Sequence, residues 1–387
     1  MALQTRTQSV ERTLRRPALN SLTGMRFLAA AMVFTSHVFF VLIPASYTWD
    51  GHTLRYFWTD FGGAGVSFFF ILSGFVLTWS AVPGDTARAF WRRRVLKIYP
   101  THLVTAVAAL LLVLTIGSSF TVRQTIPNLL LVHTWTPDFA LFTGLNDVSW
   151  SLACEAFFYL CFPLLLRTLS RLPRRTLMWG AGLMVLGVWL VPLIAELFMG
   201  GTNPVFLPWT VEQMWFVYFF PVTRLLEFVL GMLLARIVVE KLWPRISLPV
   251  ALLAFVPFYV LAVYIHGEYG LVAATVIPLA LIVPAAATAD INGRRTLASR
   301  RGAVWLGEIS FAFYMVHELV ITYGAHLFGV TMMSRLSGWQ VTGLALLALT
   351  VSLALSALMY SAFERPIMRR WARPRKPAAR DDVPVGA

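Results

Sequence analysis

The sequence predicts an all-α, polytopic integral membrane protein, and three observations carry that prediction. Of its 387 residues 58% are hydrophobic and only 13% charged, and the mean hydropathy is +0.70. Soluble proteins hold about 45–50% apolar and about 25% charged residues, so the chain lies well outside their range. Its apolar residues fall in unbroken runs of about 20, the length a helix needs to cross hydrocarbon. Those runs lack the period-two alternation of a barrel strand, and only helices and closed barrels satisfy their backbones in lipid.

About ten spans are expected, at residues 27–47, 60–82, 99–117, 148–166, 177–198, 215–239, 247–265, 270–289, 304–328 and 339–362. The net charge of +14 is explained by topology rather than by nucleic acid. With both termini cytoplasmic, Arg55, Arg123 and Arg335 lie in outside loops and Arg224 lies in a span. Every other Lys and Arg among the 32 then falls inside. An error of one helix would scramble that pattern. The chain divides into a tail at 1–21, a membrane domain at 22–370 and a tail at 371–387. Residues 118–147 form the longest outside loop, placed to cover a cavity. Cys154 and Cys161 share one helix about 10 Å apart by rise, too far for a disulfide.

The first helix, LTGMRFLAAAMVFTSHVFFVL, carries Arg26 and His37 eleven residues apart. Eleven steps of 100° bring both onto one face, about 16 Å apart along the axis. Arg26 is expected at the membrane surface and His37 near the midplane, where a histidine is costly and usually kept for function. In the second span the small residues around Ser73 suit close helix packing. Isoleucine at 71 excludes a G-x-S-x-G nucleophile elbow.

FWRRRVLKIYP follows, with Arg92, Arg93, Arg94 and Lys97. It reads either as a topology signal or as a polyphosphate site. In the fourth span Ser151, Glu155 and Tyr159 share a face. Glu155 reaches a depth similar to that of His37, so an acid–base pair is expected there. Arg224 and Glu227 stand one turn apart, as an internal ion pair or as a substrate contact. In the ninth span Ser310, Tyr314 and His317 form a polar stripe. Ile321 stands where an H-E-x-x-H motif needs its second histidine, so no metal is expected. His102, His133, His266 and His326 fall at or near membrane edges, and His52 falls in an outside loop.

Taken in order, these stretches resemble the type-three membrane acyltransferase family (acyltransferase 3). The likeness rests on Arg26 and His37, GVSFFFILSGF (65–75), RRVLKIYP (93–100), WSLACEAFFYLCFP (150–163), RLLEFVLGMLLA (224–235), ISFAFYMVH (309–317) and FERP (363–366). The resemblance implies transfer of an acyl group from a thioester donor, commonly acyl-CoA, to a hydroxyl of a sugar-like or polyketide acceptor. The family's basic motif falls on Arg94 and Lys97, with lysine replacing its second arginine, and its acidic position falls on Glu155. Without an added hydrolase-like domain, the chain resembles the branch that acylates macrolide antibiotics in actinomycetes.

The implied site has His37 as general base, with Glu155 orienting it. Arg26, Arg93, Arg94 and Lys97 hold the donor phosphates. Ser73, Ser310, Tyr314, His317 and Arg224 are candidates for oxyanion or acceptor contacts. Acyl-CoA is a co-substrate, with no bound cofactor and no metal. The partners are the donor, a hydroxylated small molecule or carbohydrate, and the lipid bilayer of the cell membrane. A transporter is the alternative, since intramembrane His, Glu and Arg also mark transport pathways.

Overall fold

Helices account for all the regular structure among the described residues of the computed structural model, which are 16–43, 53–201, 209–265, 267–331 and 334–371. The outer parts of both expected tails, residues 44–47 of the first expected span, His52 and His266 lie outside them. The long helices are α1 (Asn20–Leu42), α2 (Thr53–Trp79), α3 (Ala87–Thr115), α4 (Ser149–Ser170) and α5 (Leu177–Phe198). They continue as α6 (Pro221–Val239), α7 (Leu248–Tyr264), α8 (Ala273–Ile291), α9 (Arg301–Leu327) and α10 (Gly338–Met359). Among the described residues, eight helices are long and apolar enough to cross a membrane. The other two stand at the sixth and seventh expected spans: α6 carries Arg224, Glu227 and Arg236, and α7 has 17 residues.

Among the helix starts that differ from expectation, three have a local cause. Helix α1 begins at Asn20, because the Asp290 carboxylate accepts from Ser21 N at 2.8 Å and from Ser21 Oγ at 2.6 Å. That carboxylate acts as a cap supplied by another helix. Arg26 therefore lies in the second turn of α1 rather than at its start. His37 stands five residues, about 8 Å, from the helix's far end rather than at the helix middle. Helix α3 begins at Ala87, where the Thr86 side chain accepts from Ala89 N at 3.2 Å, so the RRRVLK run is helical. The sixth expected span opens as a π-helical turn, Trp215–Phe219, and restarts at Pro221 as α6.

Helix α2 is the most deeply buried of the eight and packs against α1, α6, α7 and α8. Its glycines permit this. A Cβ on Gly74 would sit 1.9 Å from the Phe228 carbonyl oxygen, and one on Gly231 1.9 Å from that of Ile71. The α2 and α6 backbones touch through those two residues. Helix α9 packs against α1 in the same way, with Gly307 lying against Thr23.

Residues 118–148 do more than lie over the bundle. They contain the short helices Val122–Leu129 and Phe139–Phe142, and they bury Asn128, His133 and Asn146. Asn128 Nδ2 donates to Gly144 O at 3.0 Å and to Ser149 Oγ at 2.8 Å. His102 on α3 meets Asn128 O at 3.0 Å, and Asn146 Nδ2 donates to Met315 O at 2.8 Å. His102 and His133, expected at or near membrane edges, are buried parts of this network.

Candidate active site

A cavity of about 600 Å³ opens between α1, α2, α3, α4 and α9. Arg26, Arg94 and Lys97 form its charged wall, with Arg16 on its rim donating to Trp79 O at 3.0 Å, and Ser73, Ser151, Glu155, Tyr159, Ser310 and Tyr314 supply polar groups. Five stretches far apart in sequence therefore converge on one space.

Each charge there has an internal partner. Glu155 accepts from the Tyr159 hydroxyl at 2.7 Å and from Ser73, under the charges of Arg26 and Arg94. Lys97 pairs with Glu364, a buried carboxylate on the π-helical turn Tyr360–Glu364. The Arg94 guanidinium lies 5.9 Å from the Tyr159 ring centre. Arg93 does not line the cavity and is paired with Asp85 (Nη1 to Oδ1 3.1 Å).

The oxyanion candidates separate by what their hydrogens do. Ser310 Oγ donates to Gly307 O at 2.9 Å, and the Ser73 hydroxyl is bound to Glu155. Ser151 Oγ lies 2.8 Å from the Tyr314 oxygen and 3.0 Å from the Val148 carbonyl oxygen, and its one hydrogen serves one of them at a time; when it turns to Tyr314, the phenolic hydrogen is free to point into the cavity. Arg224 is 1% exposed and paired with Glu227 at 3.0 Å, off the cavity wall. The geometry therefore fits an internal ion pair and places no substrate within its reach.

The expected pair of His37 with Glu155 is not formed. His37 Nδ1 lies 2.8 Å from Glu318 Oε2 and 3.0 Å from His317 Nε2, its ring stacked on that of His317 at 5.1 Å. His317 Nδ1 meets the Phe313 carbonyl at 3.2 Å and so carries the hydrogen, leaving Nε2 as an acceptor. His37 Nδ1–H is thus the single donor between two acceptors. Its Nε2 keeps a lone pair, and the side chain is 24% exposed. His37 is not on the cavity wall. Tyr314 closes that end, its ring 5.7 Å from His317 behind it.

Glu318 was read only as part of a failed zinc motif, and its partner comes from a helix 281 residues earlier in the chain, which spacing cannot show. Asp147 was passed over as well. The bonds Asn146 to Met315 and Ser151 to Tyr314 hold its segment against α9. Withdrawal from water and the nearby Glu318 push its carboxyl up to about 7, against the opposing pull of His37. His37, His317 and Glu318 also offer one ligand atom each within 4.8 Å of one another, a group that could hold a metal ion.

Comparison with known proteins places the chain in a family. The chain is 37% identical over 369 residues to Acyltransferase MdmB of Streptomyces mycarofaciens, covering 93% of this chain and 94% of the relative. Nodulation protein 10 of Rhizobium leguminosarum bv. viciae is 32% identical over 175 residues, 40% of this chain and 46% of its own. YrhL of Bacillus subtilis (strain 168), named provisionally as a peptidoglycan O-acetyltransferase, is 25% identical over 378 residues, 89% of this chain and 54% of its own. No solved structure matches. An acyltransferase domain model, that of acyltransferase 3, matches residues 19–361. Of the two readings open from composition, the match favours the acyltransferase over the transporter. The chain belongs to the acyltransferase 3 family of membrane proteins.

Proposed function

We propose that the chain is a multi-pass O-acyltransferase of the cell membrane that moves an acyl group from acyl-CoA to a hydroxyl of a macrolide or sugar-like acceptor. The observation that carries this reading is a basic cavity closed by Tyr314, whose ring lies 5.7 Å from that of His317, the residue stacked on an imidazole, His37, whose Nδ1 is already engaged. Arg26, Arg94 and Lys97 suit the donor's phosphates: guanidinium grips bidentately and lysine acts as a point charge. Arg26 and His37 are about 16 Å apart along α1, a span that an extended pantetheine arm covers.

In this reading His37 Nε2 takes the proton of the acceptor hydroxyl as the oxygen attacks the thioester carbon. The Tyr314 hydroxyl donates to the developing oxyanion. The C–S bond then breaks, and the leaving thiolate takes the proton back from His37. Glu318 holds Nδ1–H throughout and steadies the charged ring, the task first expected of Glu155. Tyr314 must turn aside for the thioester to reach His37. The resemblance to the macrolide-acylating branch supports the acceptor class. The similarity to a Streptomyces acyltransferase over nearly its whole length supports acyl transfer as the reaction.

The test uses purified protein in detergent, without any gradient, supplied with acyl-CoAs and hydroxylated acceptors and read by mass spectrometry. His37→Ala should lower kcat by about 10²-fold or more. Arg94→Ala should raise the donor KM about tenfold or more, the loss of a charged hydrogen bond. Wild-type turnover by folded His37→Ala protein ends the base assignment, and an unchanged donor KM in Arg94→Ala moves the phosphate site elsewhere.

A further inference from the structure

We propose that His37, His317 and Glu318 form a binding site for a divalent transition metal of the zinc class, and that an ion seated there holds acyl transfer off. The second half rests on the reading of His37 as base; the first does not.

Two imidazole nitrogens and a carboxylate are a zinc ligand set. His37 Nδ1 stands 3.0 Å from His317 Nε2 and 2.8 Å from Glu318 Oε2. Tetrahedral ligands at about 2.0–2.1 Å from zinc are about 3.3 Å apart, so the ion needs each contact to open by a few tenths of an ångström. Two lone pairs converge on one N–H here, and a doubly charged ion answers both acceptors where the proton answers them by turns.

The groups behind the ligands are also in place. The Phe313 carbonyl fixes the hydrogen of His317 on Nδ1, which aims the Nε2 lone pair into the site. Thr322 Oγ1 donates to Glu318 Oε1 at 2.8 Å, which leaves Oε2 for the ion. Such outer partners orient metal ligands and raise their basicity. The side chains of His37 and Glu318 are 24% and 14% exposed, so the group lies near the surface rather than deep in the core. The nitrogen ligands favour zinc or cobalt over magnesium, which prefers oxygen.

Metal on His37 Nδ1 requires that nitrogen's lone pair, so the ring hydrogen moves to Nε2. A ring with hydrogen on Nε2 has no lone pair there for the acceptor's proton. The ion therefore removes the base without displacing any substrate.

The experiment uses tag-free, full-length protein stripped with chelator. Zinc uptake is followed by calorimetry and elemental analysis, and cobalt by its visible bands. One saturable equivalent is expected, unaffected by excess magnesium, with transfer falling as occupancy rises and returning with chelator. His317→Gln should weaken uptake by more than tenfold. Thr322→Val, at an exposed position that leaves folding intact, should weaken it about tenfold. No saturable uptake overturns the proposal. So does uptake unchanged in both variants, or full occupancy with undiminished transfer. His37→Ala protein that loses zinc uptake yet keeps transfer in metal-free buffer would overturn the base reading and leave the metal site standing.

Discussion

His37 makes two contacts through one nitrogen, and the carboxylate among them decides which nitrogen stays basic. Glu318→Gln keeps the shape and removes the charge. The proposed mechanism expects kcat to fall about tenfold to hundredfold with the donor KM unchanged, the pattern of an interaction made only in the transition state. Arg94→Ala should show the opposite split, whereas a purely structural role would move both constants together. Loss of donor affinity in Glu318→Gln, with kcat intact, would remove Glu318 from the base. The sequence made Arg26, His37, Arg94, Lys97 and Tyr314 legible because each is a costly polar group in an apolar helix. It misassigned the carboxylate because depth was counted from an assumed helix start. The Asp290 cap moved that start to Asn20, and with it His37 out of the plane of Glu155.

Among the elements, the 118–148 segment was visible only as a long loop. Its insertion depends on bonds such as Asn128 to Ser149 and Asn146 to Met315, whose partners no local pattern reveals. Burial and the adjacent His102 push His133 from 6.5 down to about 3. The folded protein therefore leaves His133 neutral where the unfolded chain would protonate it. This contribution is intact above pH 6.5 and is lost as pH falls toward about 3, by up to about 1.4 kcal/mol per pH unit. Asp147, raised to about 7, acts in the opposite direction, losing stability as pH rises, so the comparison must be between variants. Melting in detergent at pH 8 and pH 5 should show a smaller acid loss in His133→Gln than in wild type. Equal losses in the two proteins would refute the assignment.

At the scale of the molecule, hydropathy located every long helix, while boundaries followed contacts that composition does not record. The charge pattern yields a further expectation. A reporter fused after Trp371 should read as cytoplasmic, and one placed at residue 118 should read as outside. The reverse result would invert the proposed topology.

Three of the cavity's cations already have anions of their own: Glu155 beside Arg26 and Arg94, and Glu364 beneath Lys97. A phosphate arriving there does not enter a bare positive field. It trades places with carboxylates that the fold supplies, so the grip on the donor is a difference between two partnerships. When the spent donor departs, those carboxylates reclaim the cations, and the site resets without stranding a charge in the apolar interior.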